Sequence, residues 1–155
     1  MSGFHLAQLN VARLLAPLEA PQISGYRDNL ERVNALADAA PGFLWRATGT
    51  GFDSHAAAQD IDPWILANMS LWESAEALAA FAYRSEHRHF VRDGHQWFER
   101  QDAPYMVLWW LPPGELPQRV DAFARLDHLR AHGTTPHAFD FPARFPAPVL
   151  MDASE

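Results

Sequence analysis

The sequence predicts an α+β fold in the order βαββαβ, closed by one further helix and an extended tail, and three observations predict it. Short apolar runs with two-residue alternation are interleaved with longer stretches whose apolar residues recur at helical spacing. Pro and Gly gather at the joins between them, and no repeat appears at a solenoid period. With 155 residues, 48% hydrophobic and 20% charged, the chain can bury one core, so a single domain is expected.

Phe4 to Val11 is the first strand, with Phe4, Leu6, Gln8 and Asn10 on one face and His5, Ala7, Leu9 and Val11 on the other. Pro17 and Pro21 end it. Tyr26, Leu30, Val33, Ala37 and Ala40 then mark a helix over Gly25 to Ala40, which Pro41-Gly42 stops. Phe43 to Thr48 is a second strand, Gly49 to Pro63 a loop, and Ile65 to Trp72 the third strand. Ser74 caps the next helix, with Glu76 in its first turn and Leu78, Phe81 and Ala82 on its buried face. Ser85 restarts it as a second segment that buries Phe90, Val91, Gly94, Trp97 and Phe98.

Tyr105 to Leu111 is the fourth strand, apolar on both faces, and such a strand must be covered on both sides. Pro117 opens a last helix with Val120, Phe123, Leu126 and Leu129 on one face, and Gly133 ends it. The Pro- and Phe-rich remainder has no period and is expected to lie extended over the body. The division is therefore a domain over residues 1–132 and a packed tail over 133–155. This element order is the ferredoxin-like one. Helices on one face of the sheet leave the other bare. A second copy of the chain is its simplest cover, so a homodimer with two sheets face to face is expected.

The net charge of -7 and pI near 5.5 argue against a nucleic-acid surface, which needs clustered cations. All 12 basic residues are Arg. Without cysteine there is no disulfide framework, thiolate nucleophile or cysteine metal site, which fits a cytoplasmic protein. The first residues lack a basic segment followed by a long apolar run, and the densest apolar run, Met106 to Leu111, is too short to span a bilayer. The chain is read as neither secreted nor inserted in a membrane.

The face of the third strand that carries Asn68, Ser70 and Trp72 is too polar for ordinary core. The Cα atoms of Asn68 and Trp72 lie roughly 13 Å apart at about 3.3 Å per residue, a separation that brackets a small aromatic ligand. The alternative is that Asn68 and Ser70 satisfy a neighbouring loop or helix end while Trp72 is core. His87 follows a helix start, where it serves either as a proton acceptor titrating near neutrality or as a structural side chain. Tyr83, Arg84 and Arg88 are neighbours able to polarise an oxyanion, or a solvated helix face.

His87 and His89 point to different sides of a helix, and His128 and His132, although four apart, have no Glu between them, so no metal site is assigned. Phosphate loops, the G-x-S-x-G elbow and paired-carboxylate motifs are missing, which removes nucleotide-dependent and serine-hydrolase chemistry.

The run WESAEALAAFAYRSEHRHFV, preceded by Asn68, resembles the dimeric α/β-barrel superfamily that includes the antibiotic biosynthesis monooxygenases. More closely, QLNVARL, NALADAAPGFLWR, NMSLWES, FAYRSEHRHF, WFER, LWWLPPGELP and LDHLRAHGTTPHAF resemble an uncharacterised domain-of-unknown-function family within it. The resemblance implies a dimeric α/β barrel and a cofactor-independent monooxygenase acting on an electron-rich aromatic or polyketide-like molecule. It implies Asn68 and Trp72 as anion-binding groups, Asn10 as a positioning group and His87 as the base. Haem-binding relatives in the same superfamily imply an alternative in which His87 is the axial ligand. A third reading is a dimer that binds a hydrophobic ligand without turnover, its tryptophans serving core and interface.

Overall fold

The computed structural model describes residues 3–16, 20–47, 65–84, 94–100, 102–141 and 145–148. Four strands, β1 (His5–Arg13), β2 (Phe43–Arg46), β3 (Ile65–Trp72) and β4 (Met106–Leu111), form one antiparallel sheet in the order β2-β3-β1-β4. Helix α1 (Ser24–Asp38) joins β1 to β2, α2 (Ala75–Arg84) follows β3, and α3 (Arg119–His132) follows β4. Element order and strand order are consistent with a ferredoxin-like arrangement. The expected loop over 49–63 and the helical segment over 85–93 lie outside the described residues.

Local chemistry explains the joins. Ser74 caps α2, its Oγ accepting the Ala77 amide at 3.1 Å, and satisfies one of the donors that a helix start leaves open. Gly42 has φ +82°, a conformation that side chains with a Cβ rarely adopt, and an added Cβ would overlap the Ala77 methyl at the start of α2. Its carbonyl accepts the Glu73 amide at 2.8 Å, so the end of α1, the start of β2 and the start of α2 are fastened at one glycine.

Alternation puts Ala7, Leu9, Val11, Ala67, Met69, Leu71, Val107 and Trp109 on one sheet face, where they are buried. The last helix covers them, with Ala122, Leu126 and Leu129 turned inward at i, i+4 and i+7. The face expected to be bare is covered by α3 of the same chain, and Leu9, Val107 and Trp109 reach 0% exposure within that chain. The inward stripe also differs from the predicted one. Val120 is 84% exposed and Ala122 lies inward instead, because at about 100° per residue Val120 sits roughly 150° from the centre of the buried stripe.

The opposite face carries Leu6, Trp72 and Leu108 under α2 and the tail. From α3 the chain turns at Thr135–Ala138 and runs along the outer edge of β4, where Phe139 and Leu108 exchange backbone hydrogen bonds of 2.7 and 3.0 Å. Phe141 and Phe145 then pack on the second face, and the Phe145 carbonyl accepts the Trp110 indole N–H at 2.9 Å. The described part of the tail is thus bound to both faces around one edge. Among the described residues, no helix is long and apolar enough to cross a membrane.

Candidate functional site

The two central strands bring the polar residues of the sequence into one ladder. Asn10 lies opposite Asn68, Gln8 opposite Ser70 and Leu6 opposite Trp72, all on the face turned toward α2. Gln8 and Ser70 are 3% and 5% exposed, and polar groups that deep require partners. The Gln8 amide nitrogen donates to Asn68 Oδ1 and to Ser70 Oγ, both at 2.9 Å, with a longer contact of 3.4 Å to the Asn68 carbonyl. Its oxygen accepts from Asn10 Nδ2 at 2.9 Å. The Trp72 indole N–H donates to Ser70 Oγ at 2.8 Å.

This ladder floors a cavity of about 860 Å³ between the sheet, α1 and α2. Tyr26, Val33 and Ala37 from α1, Leu78 and Phe81 from α2, Phe43, Met106 and Phe141 supply mostly apolar walls. Charged residues stand among the lining groups, but two of them are neutralised by ion pairs of 2.8 Å, Arg46 with Asp38 and Glu99 with Arg13. The floor itself is uncharged. At the end formed by Tyr26, Trp97 and Phe98, the Tyr26 ring lies 5.2 Å from Phe98 and 6.0 Å from Trp97, and burial pushes its phenol up to about 12.

Asn68, Trp72 and Asn10 are therefore brought together on one wall of one cavity. Asn68 is exposed to the cavity mouth, and Asn10 is half-buried. Trp72 is 1% exposed, stacked on Phe81 at 5.4 Å and met edge-on by Phe43 at 5.3 Å. Its N–H points into Ser70 and not into open space. His87 lies outside the described residues, as do Arg88 and the side chains of Tyr83 and Arg84. His95 is the imidazole that the described residues place at the cavity, and it is exposed at the rim.

Gln8 is the member that sequence reasoning passed over. Its signal was present: it shares a strand face with Asn10, two residues away, in a strand whose other interior positions, Leu6, Ala7, Leu9, Val11 and Ala12, are apolar.

Far from the cavity, His128 lies 4.7 Å from His132 and 4.9 Å from His137, ring centre to ring centre. Partial burial, the Arg125 guanidinium and His128 lower the His137 pKa, against an opposing pull from Asp121. Among the described residues, no group of three or more His, Asp or Glu is arranged to hold a metal ion.

The profile of a family described as a domain of unknown function (DUF3291) matches residues 5–154. No curated protein matches the chain. Among solved structures, a protein of unknown function from Nitrosomonas europaea is similar over 76% of this chain and 99% of its own, with a TM-score of 0.50 and 13% identity. A protein from Pseudomonas aeruginosa is 20% identical over 76% of this chain and 99% of its own, with a TM-score of 0.43. The first of these is a likeness of fold.

Proposed function

We propose that the chain, which belongs to the DUF3291 family, binds a flat and largely apolar small molecule in the cavity between its sheet and helices α1 and α2. The observation that carries this reading is the uncharged polar ladder of Asn10, Gln8, Asn68 and Ser70 at the floor of an apolar-walled space. Concave, mostly apolar sites with a few fixed polar groups are the usual form of small-molecule sites, and about 300–1,000 Å³ is their usual size.

The activity to seek there is cofactor-independent oxygenation of an electron-rich phenolic compound, in the manner of the antibiotic biosynthesis monooxygenases. In that reaction a base takes a proton from an activated CH₂. The carbanion passes an electron to dioxygen, and radical recombination gives a hydroperoxide that loses water, so that R₂CH₂ and O₂ become R₂C=O and H₂O. Asn68 would hold the substrate oxygen through its amide. Trp72 would act by holding Ser70, since its own N–H is engaged there. The haem alternative rests on His87, which lies outside the described residues.

Oxygen uptake with 1,8-dihydroxyanthrone as the probe tests the activity, alongside its binding followed by tryptophan quenching. Uptake above the buffer rate that Asn68→Ala abolishes supports oxygenation. Binding without uptake leaves a ligand-binding protein, and unaltered turnover in both Asn68→Ala and Trp72→Ala ends the assignment of these residues.

A further inference from the structure

The hydrogen-bond directions in the ladder determine what kind of ligand edge the cavity reads. A backbone carbonyl can only accept. The Gln8 side-chain atom that lies 3.4 Å from the Asn68 carbonyl is therefore the amide nitrogen, and its oxygen points the other way. That orientation propagates. Asn68 turns its oxygen to the Gln8 nitrogen, and Asn10 turns its nitrogen to the Gln8 oxygen. The remaining half of each asparagine is then of opposite kind, the Asn68 amino group and the Asn10 carbonyl, carried by cross-strand partner residues. Neither atom has a partner among the described residues, and both residues line the cavity.

We infer that the cavity selects a neutral, planar ligand carrying an N–H beside a C=O, that is, a lactam edge. Its carbonyl accepts from Asn68 and its N–H donates to Asn10. Gln8 touches no ligand in this scheme. It is a positioning residue that holds the two asparagines in opposite senses. The inference rests on the cavity being a ligand site, as proposed above, and adds the chemistry that the floor recognises.

The test compares 2-quinolone with N-methyl-2-quinolone by calorimetry. The rings and the carbonyl are shared, and a methyl group takes the place of the donor hydrogen. The unmethylated lactam should bind about ten-fold more tightly or better, the effect of one buried hydrogen bond together with an unpartnered acceptor. Gln8→Leu, which lets go of both asparagines, should lower that ratio, and Gln8→Glu should restore it at weaker affinity for both probes, because a carboxylate still accepts from Asn10 and holds its carbonyl to the cavity while turning the Asn68 carbonyl there in place of its amino group. A purely structural role for Gln8 would leave the ratio the same in both variants. Should the Gln8 variants fail to fold, Asn10→Leu removes the acceptor directly and must abolish the preference. Equal affinity of the wild-type chain for the two probes overturns the lactam inference and leaves the cavity as a site. Binding of neither at millimolar concentration overturns both.

Discussion

The two most deeply buried tryptophans offer a matched experiment, because the same substitution at each should have unequal effects for one reason. Trp72 and Trp109 are 1% and 0% exposed, so replacing either with Phe deletes the same atoms from a packed interior. The difference is polar. Trp72 donates to Ser70 Oγ at 2.8 Å, and losing that bond costs about 1 kcal/mol. Trp109 Nε1 is buried with no acceptor in reach among the described residues, and an unpartnered buried donor carries a penalty of about 1–3 kcal/mol that Phe removes. Arg125 lies 5.4 Å from the centre of the Trp109 ring and prefers indole to phenyl, which returns about 0.5 kcal/mol, the lower bound for such a contact. Trp109→Phe should therefore be milder than Trp72→Phe by roughly 2–3 kcal/mol. With a urea m-value of about 2 kcal/mol/M, that gap is a midpoint difference of about 1–1.5 M, read by far-ultraviolet circular dichroism. Equal midpoints at unchanged m, or a larger loss at Trp109, would refute the polar argument.

Gly42→Ala should lower stability by about 2–4 kcal/mol in the same assay, combining positive-φ strain with overlap on Ala77, and a loss under 1 kcal/mol would contradict the described turn. On α3, Leu126→Ala should cost about 3 kcal/mol while Val120→Ala stays within about 0.5 kcal/mol; comparable losses would mean that the inward stripe has been misassigned. Tyr26 gives a pH signature. Its folded pKa of about 12 exceeds the unfolded value of 10.0, so between these two the unfolded chain releases its proton first and stability falls as pH rises. At about 1.4 kcal/mol per pKa unit, the loss approaches 2–3 kcal/mol. Absorbance titration at alkaline pH should show a late tyrosinate step that Tyr26→Phe removes, and a wild-type titration with no late step would count against burial of that phenol.

Much of the fold was legible because its signals are local. Ile65–Trp72 agrees at both ends with the expected strand, the Ser74 cap is used as a cap, and Pro41-Gly42 falls in the turn into β2, where Gly42 takes a positive φ, although α1 itself stops earlier, at Asp38. The face alternation of β1 and β3 also carried through, which is why Asn10, Asn68 and Trp72 meet. What the pattern could not supply was the partner of each face. The apolar side of β4 announces burial but not by what, and a helix near the end of the chain satisfies it as well as a second copy does. The Val120 error has a similar root: in a helix with apolar residues on more than one side, composition alone leaves the inward direction ambiguous. The role of Trp72 was hidden for a different reason, since the direction of an indole N–H depends on Ser70 and Gln8, one of them 62 residues away from the other.

The pairing of Phe139 with Leu108 has a consequence for how the protein survives at high concentration. The β4 segment MVLWWL is uncharged, lacks Gly and Pro and is strongly β-prone, the composition of strands that stack into fibrils. It also sits at the end of the sheet, where its outward backbone groups would template another strand. The tail occupies the middle of that edge through both hydrogen-bonding groups of Leu108. Two residues further on, Phe141 lines the cavity. One wall of the cavity and the protection of the sheet edge thus share one short stretch of chain, and any loosening of it that widens the cavity also uncovers an apolar, strongly β-prone edge strand.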